Sequence, residues 1–343
     1  MSELKVRDVG EQGLLTRLFQ YCAVDSVGDD AAVLSVREGR SLVVTEDMLV
    51  DGVHFSLALA SPGVHTTSPF DAGWRAMAAN LSDLAAMGAT PMGITVGLGV
   101  PGDLPVSWLE DLYKGMVACL EPWNTSIVGG DVCRSPVLTV AIAAFGDVLP
   151  GRVIRRAAAQ PGDVILVTGL HGASRAGLEL LLHPEQGEGL DEGDRRFLIQ
   201  AHQRPQARLD ILSILDALIP PPTPFRIAGM DSSDGLADAV LQICRASGVG
   251  AVLERSHIPI PPALAQWLSS EKALEWSLYG GEDFELVLCL PQELAEEVGR
   301  SLPNTHMIGK ITFGNDVILM GTHQNSKSET LNLARGFQHF STS

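Results

Sequence analysis

The sequence is short of cysteine and of positive charge, and each shortage excludes a class of function. Its five cysteines, at positions 22, 119, 133, 244 and 289, form no CxxC pair, which excludes a structural zinc ribbon and a thioredoxin-like redox motif. Each sits in an apolar context and is expected to be a reduced, buried thiol. Twenty-four Lys and Arg against 41 Asp and Glu leave a formal charge of −17. A field of that sign repels nucleic acid and anionic membranes, so neither is expected as a partner. It also repels phosphate esters, unless a divalent cation mediates. No apolar run approaches the ~20 residues needed to span a bilayer; the most apolar stretch is 137–145. The opening Met-Ser-Glu-Leu-Lys-Val-Arg-Asp has charges where a signal peptide needs apolar residues. The expectation is a soluble, cytoplasmic protein.

What the chain does hold is a large apolar fraction, 45%, against 19% charged residues, which is the composition of a packed core and not of a disordered chain. A length of 343 residues suits two domains. Residues 33–34 and 41–45 read as short strands, with Gly39-Arg40 between them as the turn. Ser68-Pro69, an alanine-rich run and Gly88 bracket a helix. A Gly-spaced strand over 91–100, an amphipathic helix over 108–121 and an apolar strand over 137–145 follow. Residues 164–168 open a second half with a buried-strand pattern; 185–196 is charged and reads as a loop leading into a helix. Further strands are expected at 225–228, 285–290 and 307–311. The fold class is α/β in two domains, 1–149 and 150–343.

Carboxylates recur at turn and element boundaries. They are Gly28-Asp29-Asp30; Thr45-Glu46-Asp47 at the end of the expected hairpin; Asn80 and Asp83 on one face of the alanine-rich helix; Gly129-Gly130-Asp131 after a strand at 126–128; and Asp231-Ser-Ser233-Asp234-Gly235 between a strand and a helix. The last has the clearest physics. Asp and Ser there cap the first N–H groups of a helix, and the same groups favour a phosphate. Two carboxylates three residues apart can hold a hard cation against it. Each group also has a structural explanation: a capping box, an Asx-turn, a strand-end turn or a bulge. If the groups converge, their mutual repulsion, about 4 kcal/mol per close pair at an effective dielectric of 20, requires cations. Oxygen ligands without a His or Cys cluster favour Mg²⁺ over zinc.

No GxxxxGK[ST] occurs, so a P-loop is excluded. Gly97-Leu-Gly99-Val-Pro-Gly102 matches GxGxxG formally, but Pro101 and Pro105 make a turn there instead of a helix start. Taken by themselves, His54, Trp108 and Tyr113 read as packed residues.

In order along the chain, GDDAAVL, TEDMLVDGVHF, GWRAMAANLSDLAAMGATP, GGDVCRSP, RRAAAQPGD, MDSSDGLADAV, YGGEDFELV and GFQHF resemble the thiamine-monophosphate kinases of the aminoimidazole-ribonucleotide-synthetase-like superfamily, over residues 28–340. Two other branches fit less well. Selenophosphate synthetases carry a reactive Cys or selenocysteine on a Gly-rich N-terminal segment with a Lys, a setting that Cys22 lacks. Hydrogenase-maturation dehydratases end in Cys, and this chain ends Phe-Ser-Thr-Ser.

The resemblance implies transfer of the ATP γ-phosphoryl group to thiamine monophosphate, the last step of thiamine diphosphate biosynthesis, with several Mg²⁺ ions and no covalent or general-base residue. It implies Mg²⁺ ligands at Asp30, Thr45, Glu46, Asp47, Asp83, Asp131, Asp231 and Asp234. ATP contacts would come from Tyr113, Gly130, Asp131, Arg156 and Ser233, and thiamine-phosphate contacts from His54, Glu282 and Phe337. It further implies a homodimer in which N-terminal sheets pair across two chains. Two departures stand out: Glu46 replaces a usual small hydroxyl residue and Gln338 a usual Asp. The rival readings are another ATP-using synthetase of the superfamily, phosphorylating an acyl or amide oxygen, and a non-catalytic sensor of nucleotide or thiamine phosphate.

Overall fold

The structure, a computed structural model, describes residues 3–24, 27, 31–58, 63–321 and 328–332. Asp30 and Phe337 lie outside them. The chain divides into two compact units: residues 1–84 with 90–148, and 85–89 with 149–343.

The first unit holds α1 (Val6–Leu18), β1 (Ser41–Val50), α2 (Pro69–Ala86), β2 (Thr90–Val100), α3 (Val106–Leu120), β3 (Ile127–Arg134) and β4 (Thr139–Val148). Its sheet runs β1-β4-β2-β3, antiparallel except for the parallel β2–β3 pair. The helix α2 starts where Ser68 Oγ accepts from the Asp71 N–H and donates to the Asp71 carboxylate, and it stops before Gly88, whose φ of +73° is left-handed. The helices α2 and α3 touch backbone to backbone. A Cβ at Gly73 would stand 1.9 Å from the Leu112 carbonyl oxygen, and one at Gly115 1.9 Å from that of Phe70, so neither position admits a side chain.

The hairpin expected from 33–34 and 41–45 does not form. Residues 32–37 carry no strand, and β1 pairs instead with β4, far along the chain, from Ser41↔Val148 to Val50↔Thr139. The segment is fastened by charge. Arg37 and Arg40 both donate to the carboxylate of Asp147, whose side chain is fully buried at the end of β4. Burial opposes its ionisation, but the two guanidiniums prevail and hold the carboxyl below the usual carboxylate range.

The second unit contains β5 (Val164–Thr168), α4 (Ala173–Leu182), α5 (Glu192–Gln203), α6 (Asp210–Leu218), β6 (Ala228–Asp231), α7 (Leu236–Ser247), β7 (Gly250–Glu254), α8 (Pro262–Trp267), α9 (Ser270–Tyr279), β8 (Leu286–Leu290), α10 (Gln292–Ser301), β9 (Thr305–Thr312), β10 (Val317–Met320) and β11 (Glu329–Thr330). They make a mixed seven-stranded sheet in the order β11-β10-β7-β9-β5-β8-β6. Every residue of β5 and β8 is buried, the mark of central strands covered on both faces. Strand β6 begins at Ala228, three residues later than expected at its start, and ends at Asp231. The Asp-Ser-Ser-Asp motif therefore leaves directly from a strand end, where ligands bind in α/β sheets. Among the described residues no helix is long and apolar enough to cross a membrane.

Candidate active site

In the first unit, β1 and α2 bring two of the expected metal ligands together: the Thr45 hydroxyl donates to the Asp83 carboxylate. Along β1 the side chains alternate. Thr45 and Asp47 are half-buried on one face, whereas Leu42, Val44, Glu46 and Met48 are exposed on the other. Glu46 thus points away from Thr45, Asp47 and Asp83. Asn80 does not share an open face with Asp83 as expected. It is fully buried and donates from Nδ2 to the Ala76 carbonyl one turn back.

Gly130 and Asp131 lie inside β3, not after it. Register aligns Asp131 with Gly97, Ala141 and Met48 across the sheet, so it shares the exposed face with Glu46. Three strand spacings, about 14 Å, separate β3 from β1. Gly130 has a local reason to be glycine, since a Cβ there would lie 2.0 Å from the Val96 carbonyl oxygen. His54 follows β1 in a turn, and its Nδ1 accepts from the Val50 N–H, which leaves Nε2 to carry the proton of the neutral ring. Tyr113 is buried in α3 with its ring 5.7 Å from that of Tyr21, and burial pushes its hydroxyl well up. Cys133 is exposed, contrary to expectation, because it shares the open face with Asp131; Cys119, Cys244 and Cys289 are buried as expected.

The second unit gathers a denser site. Asp231, buried at the end of β6, accepts at 2.9 Å from the Ser233 hydroxyl. Gly235, at φ +110°, turns the chain into α7. Arg156 donates at 2.7 Å to Gln242, which in turn donates to Asp238 at 2.5 Å. Burial, with Asp234 nearby, lifts Asp238 above the usual carboxylate range. Beside this motif runs Gly281-Glu282-Asp283-Phe284. The Glu282 N–H donates at 2.6 Å to the Ser233 carbonyl, so the phosphate-type motif and the expected substrate motif are joined through the main chain. Asp283 caps α4, accepting from the N–H groups of Gly172 at 2.6 Å and Ser174 at 2.9 Å. Burial, reinforced by Glu285 and Glu282, nevertheless pushes it up to about 7. Glu285 accepts from Thr168 at 2.5 Å and Arg208 at 2.8 Å.

Sequence reasoning missed Asp238, Asp283, Glu285, Arg208 and His202. The first three follow motif residues closely enough to have been found; Arg208 and His202 are brought in by the fold alone.

The carboxylates and hydroxyls at the expected ligand positions, Thr45, Asp47, Asp83, Asp131, Asp231 and Asp234, are hard oxygens, the set that suits Mg²⁺. Among the described residues no three His, Cys, Asp or Glu side chains gather into a ready-made metal cage.

The chain is similar to known proteins along its length. Residues 28–148 match the AIR synthase related protein N-terminal domain, and residues 160–321 its C-terminal domain. The thiamine-monophosphate kinase of Synechococcus elongatus is 48% identical, over the whole of both chains. The crystal structure of thiamine-monophosphate kinase from Stenotrophomonas maltophilia K279a superposes with a TM-score of 0.75 at 32% identity, covering 90% of this chain and 95% of that one. AaThiL complexed with AMPPCP and TMP superposes with a TM-score of 0.71 at 29% identity, covering 96% and 99%. With two matched domains in order and an end-to-end relative of this identity, the chain belongs to the thiamine-monophosphate kinase family.

Proposed function

We infer that this protein is an enzyme that transfers the γ-phosphoryl group of ATP to thiamine monophosphate, giving ADP and thiamine diphosphate. The observation that carries this is the end-to-end identity to a thiamine-monophosphate kinase, supported by the likeness to a relative complexed with an ATP analogue and TMP.

The acceptor is a phosphate oxygen, largely ionised near neutral pH, and it attacks the γ-phosphorus in line. It needs positioning and charge neutralisation more than a general base. The residues of the chain supply the first. In the second unit Ser233 and Arg156 are the contacts for the triphosphate and Glu282 the contact for the thiamine phosphate, and the Glu282–Ser233 main-chain bond fixes the spacing of those two motifs. In the first unit the Gly130–Asp131 main chain and His54 are the phosphate contacts. Thr45, Asp47 and Asp83 in the first unit and Asp231 and Asp234 in the second would hold Mg²⁺, with Asp131 a further carboxylate for it. When bound, the metal supplies charge neutralisation between two polyanions. Glu46 contributes no side chain to the Thr45–Asp83 pair, because strand alternation turns it to the other face.

We also propose a homodimer and a cytoplasmic location. The dimer is supported by β1, which pairs only with β4 among the described residues and exposes Leu42, Val44 and Met48 by 49%, 56% and 52%. A ten-residue edge strand whose exposed row is apolar apart from Glu46 calls for a partner.

The deciding experiment supplies Mg-ATP with thiamine monophosphate, or with free thiamine as control, and measures ADP and thiamine diphosphate. Stoichiometric diphosphate from the monophosphate alone is expected. ATP hydrolysis without it would point to another acceptor, and binding of both ligands without turnover to a sensor.

A further inference from the structure

Gly281, Glu282 and Phe284 have φ of +67°, +60° and +52°, so two residues with side chains occupy the left-handed region within one short turn. Such a conformation persists only where the surroundings over-determine it, and it concentrates at working sites. The surroundings here are explicit. The Glu282 N–H is held by the Ser233 carbonyl, the Asp283 carboxylate by two N–H groups at the start of α4, and the Leu286 N–H by the Thr168 hydroxyl at 2.8 Å. The Ser232 N–H closes the other side on the Glu285 carbonyl at 2.8 Å. This fixes the main chain but does not by itself aim the Glu282 side chain, which is partly exposed at 36%.

The residue that meets that side chain comes from α5. His202 is 2% exposed; its Nδ1 stands 3.1 Å from the Ser174 hydroxyl and 3.8 Å from Glu282 Oε2. Ser174 also gives its N–H to Asp283. The imidazole is therefore fixed by the same helix start that fixes the strained turn, and it faces the Glu282 carboxylate.

We propose that His202 is a positioning residue for Glu282, setting that carboxylate toward thiamine monophosphate, with Ser174 orienting the ring. The proposal rests on the reading of Glu282 as a substrate contact. It predicts a defect confined to one substrate, because the contacts of Ser233 and Arg156 do not pass through α5.

The test is steady-state kinetics on the full-length enzyme, varying each substrate against saturation of the other. His202→Leu keeps the buried site filled and should raise KM for thiamine monophosphate by ~10- to 100-fold, leaving KM for ATP within about twofold. His202→Asn, whose amide can take the Nδ1 position, should recover most of that loss. Added to Glu282→Gln, His202→Leu should bring little further loss, since both act on one contact.

A rise in both KM values alike, or a full multiplicative effect on top of Glu282→Gln, would overturn the proposal. If His202→Leu does not fold, Ser174→Ala provides the same test: a higher KM for thiamine monophosphate alone supports the proposal and an unchanged one sinks it. Glu282→Gln separates the two levels. If it leaves KM for thiamine monophosphate unchanged, the substrate reading of Glu282 falls. If it raises KM while His202→Leu and Ser174→Ala are silent, only the role of His202 falls.

Discussion

Asp147 in the first unit is buried and Asp283 in the second is half-buried, yet their surroundings push them in opposite directions. Asp147 faces two guanidiniums, from Arg37 and Arg40, and its carboxyl is held below the ordinary range despite burial. Asp283 has two N–H donors but lies near Glu285 and Glu282, and burial with that repulsion lifts it to about 7. The first is a fastening: it ties a segment without strand structure to the end of a sheet. The second sits in a strained turn next to the proposed substrate contact, where a carboxylate that ionises near neutrality alters the field at the site. A carboxylate drawn out of bulk solvent thus anchors where a cation answers it, and stays titratable where only dipoles do.

Four measurements would break or sharpen that contrast. The largest effect is expected from Asp231→Asn, which should lower kcat by ~10²- to 10³-fold while circular dichroism stays that of the wild type; near-full turnover would remove Asp231 from the machinery. Asp147→Ala should lower unfolding stability by about 2–3 kcal/mol in urea titrations, since it strands two arginines that converge on one buried acceptor. A cost below ~0.5 kcal/mol would make the pair a surface ornament.

The third measurement reads the two signs. Stability from Asp147, whose folded pKa is depressed, is present above the ordinary carboxylate range and lost as pH falls through its folded value. Asp283, whose folded pKa is raised, favours folding below that range and loses this contribution as pH rises toward and through about 7. Melting curves from pH 5 to 8 should therefore show a decline in the wild type that Asp283→Asn flattens; parallel curves would refute the shift. The smallest effect is expected for Glu46→Thr, within about threefold in kcat/KM, because strand alternation turns its side chain away from Thr45, Asp47 and Asp83.

Much of this was legible in the sequence where local pattern and tertiary structure agree. The helix α2 announced itself by Ser68-Pro69 and Gly88, and the central strands β5 and β8 by unbroken apolar runs. The motif at 231–235 was placed correctly between strand and helix because its capping chemistry is local. Failures came where pairing is distant. Residues 33–34 looked like half a hairpin, but β1 found its partner about 100 residues away. The same register decides which carboxylates meet: alternation separates Glu46 from Asp47 by one residue and one sheet face. Neither Arg208 nor His202 carries any local signal, since each acts on a motif 77 or 80 residues downstream.

The open face of the first sheet has a practical consequence. Of the five thiols, Cys133 alone is exposed, two residues from Asp131 along β3, whereas burial pushes Cys119 up to about 12, Cys244 up to about 11, and Cys289 and Cys22 upward as well. A maleimide or iodoacetamide label at mildly alkaline pH would therefore enter at one place without any engineered cysteine. The strand that presents Asp131 comes with its own attachment point for a fluorophore or spin probe, and the rate of that alkylation would report directly on anything that comes to cover the sheet.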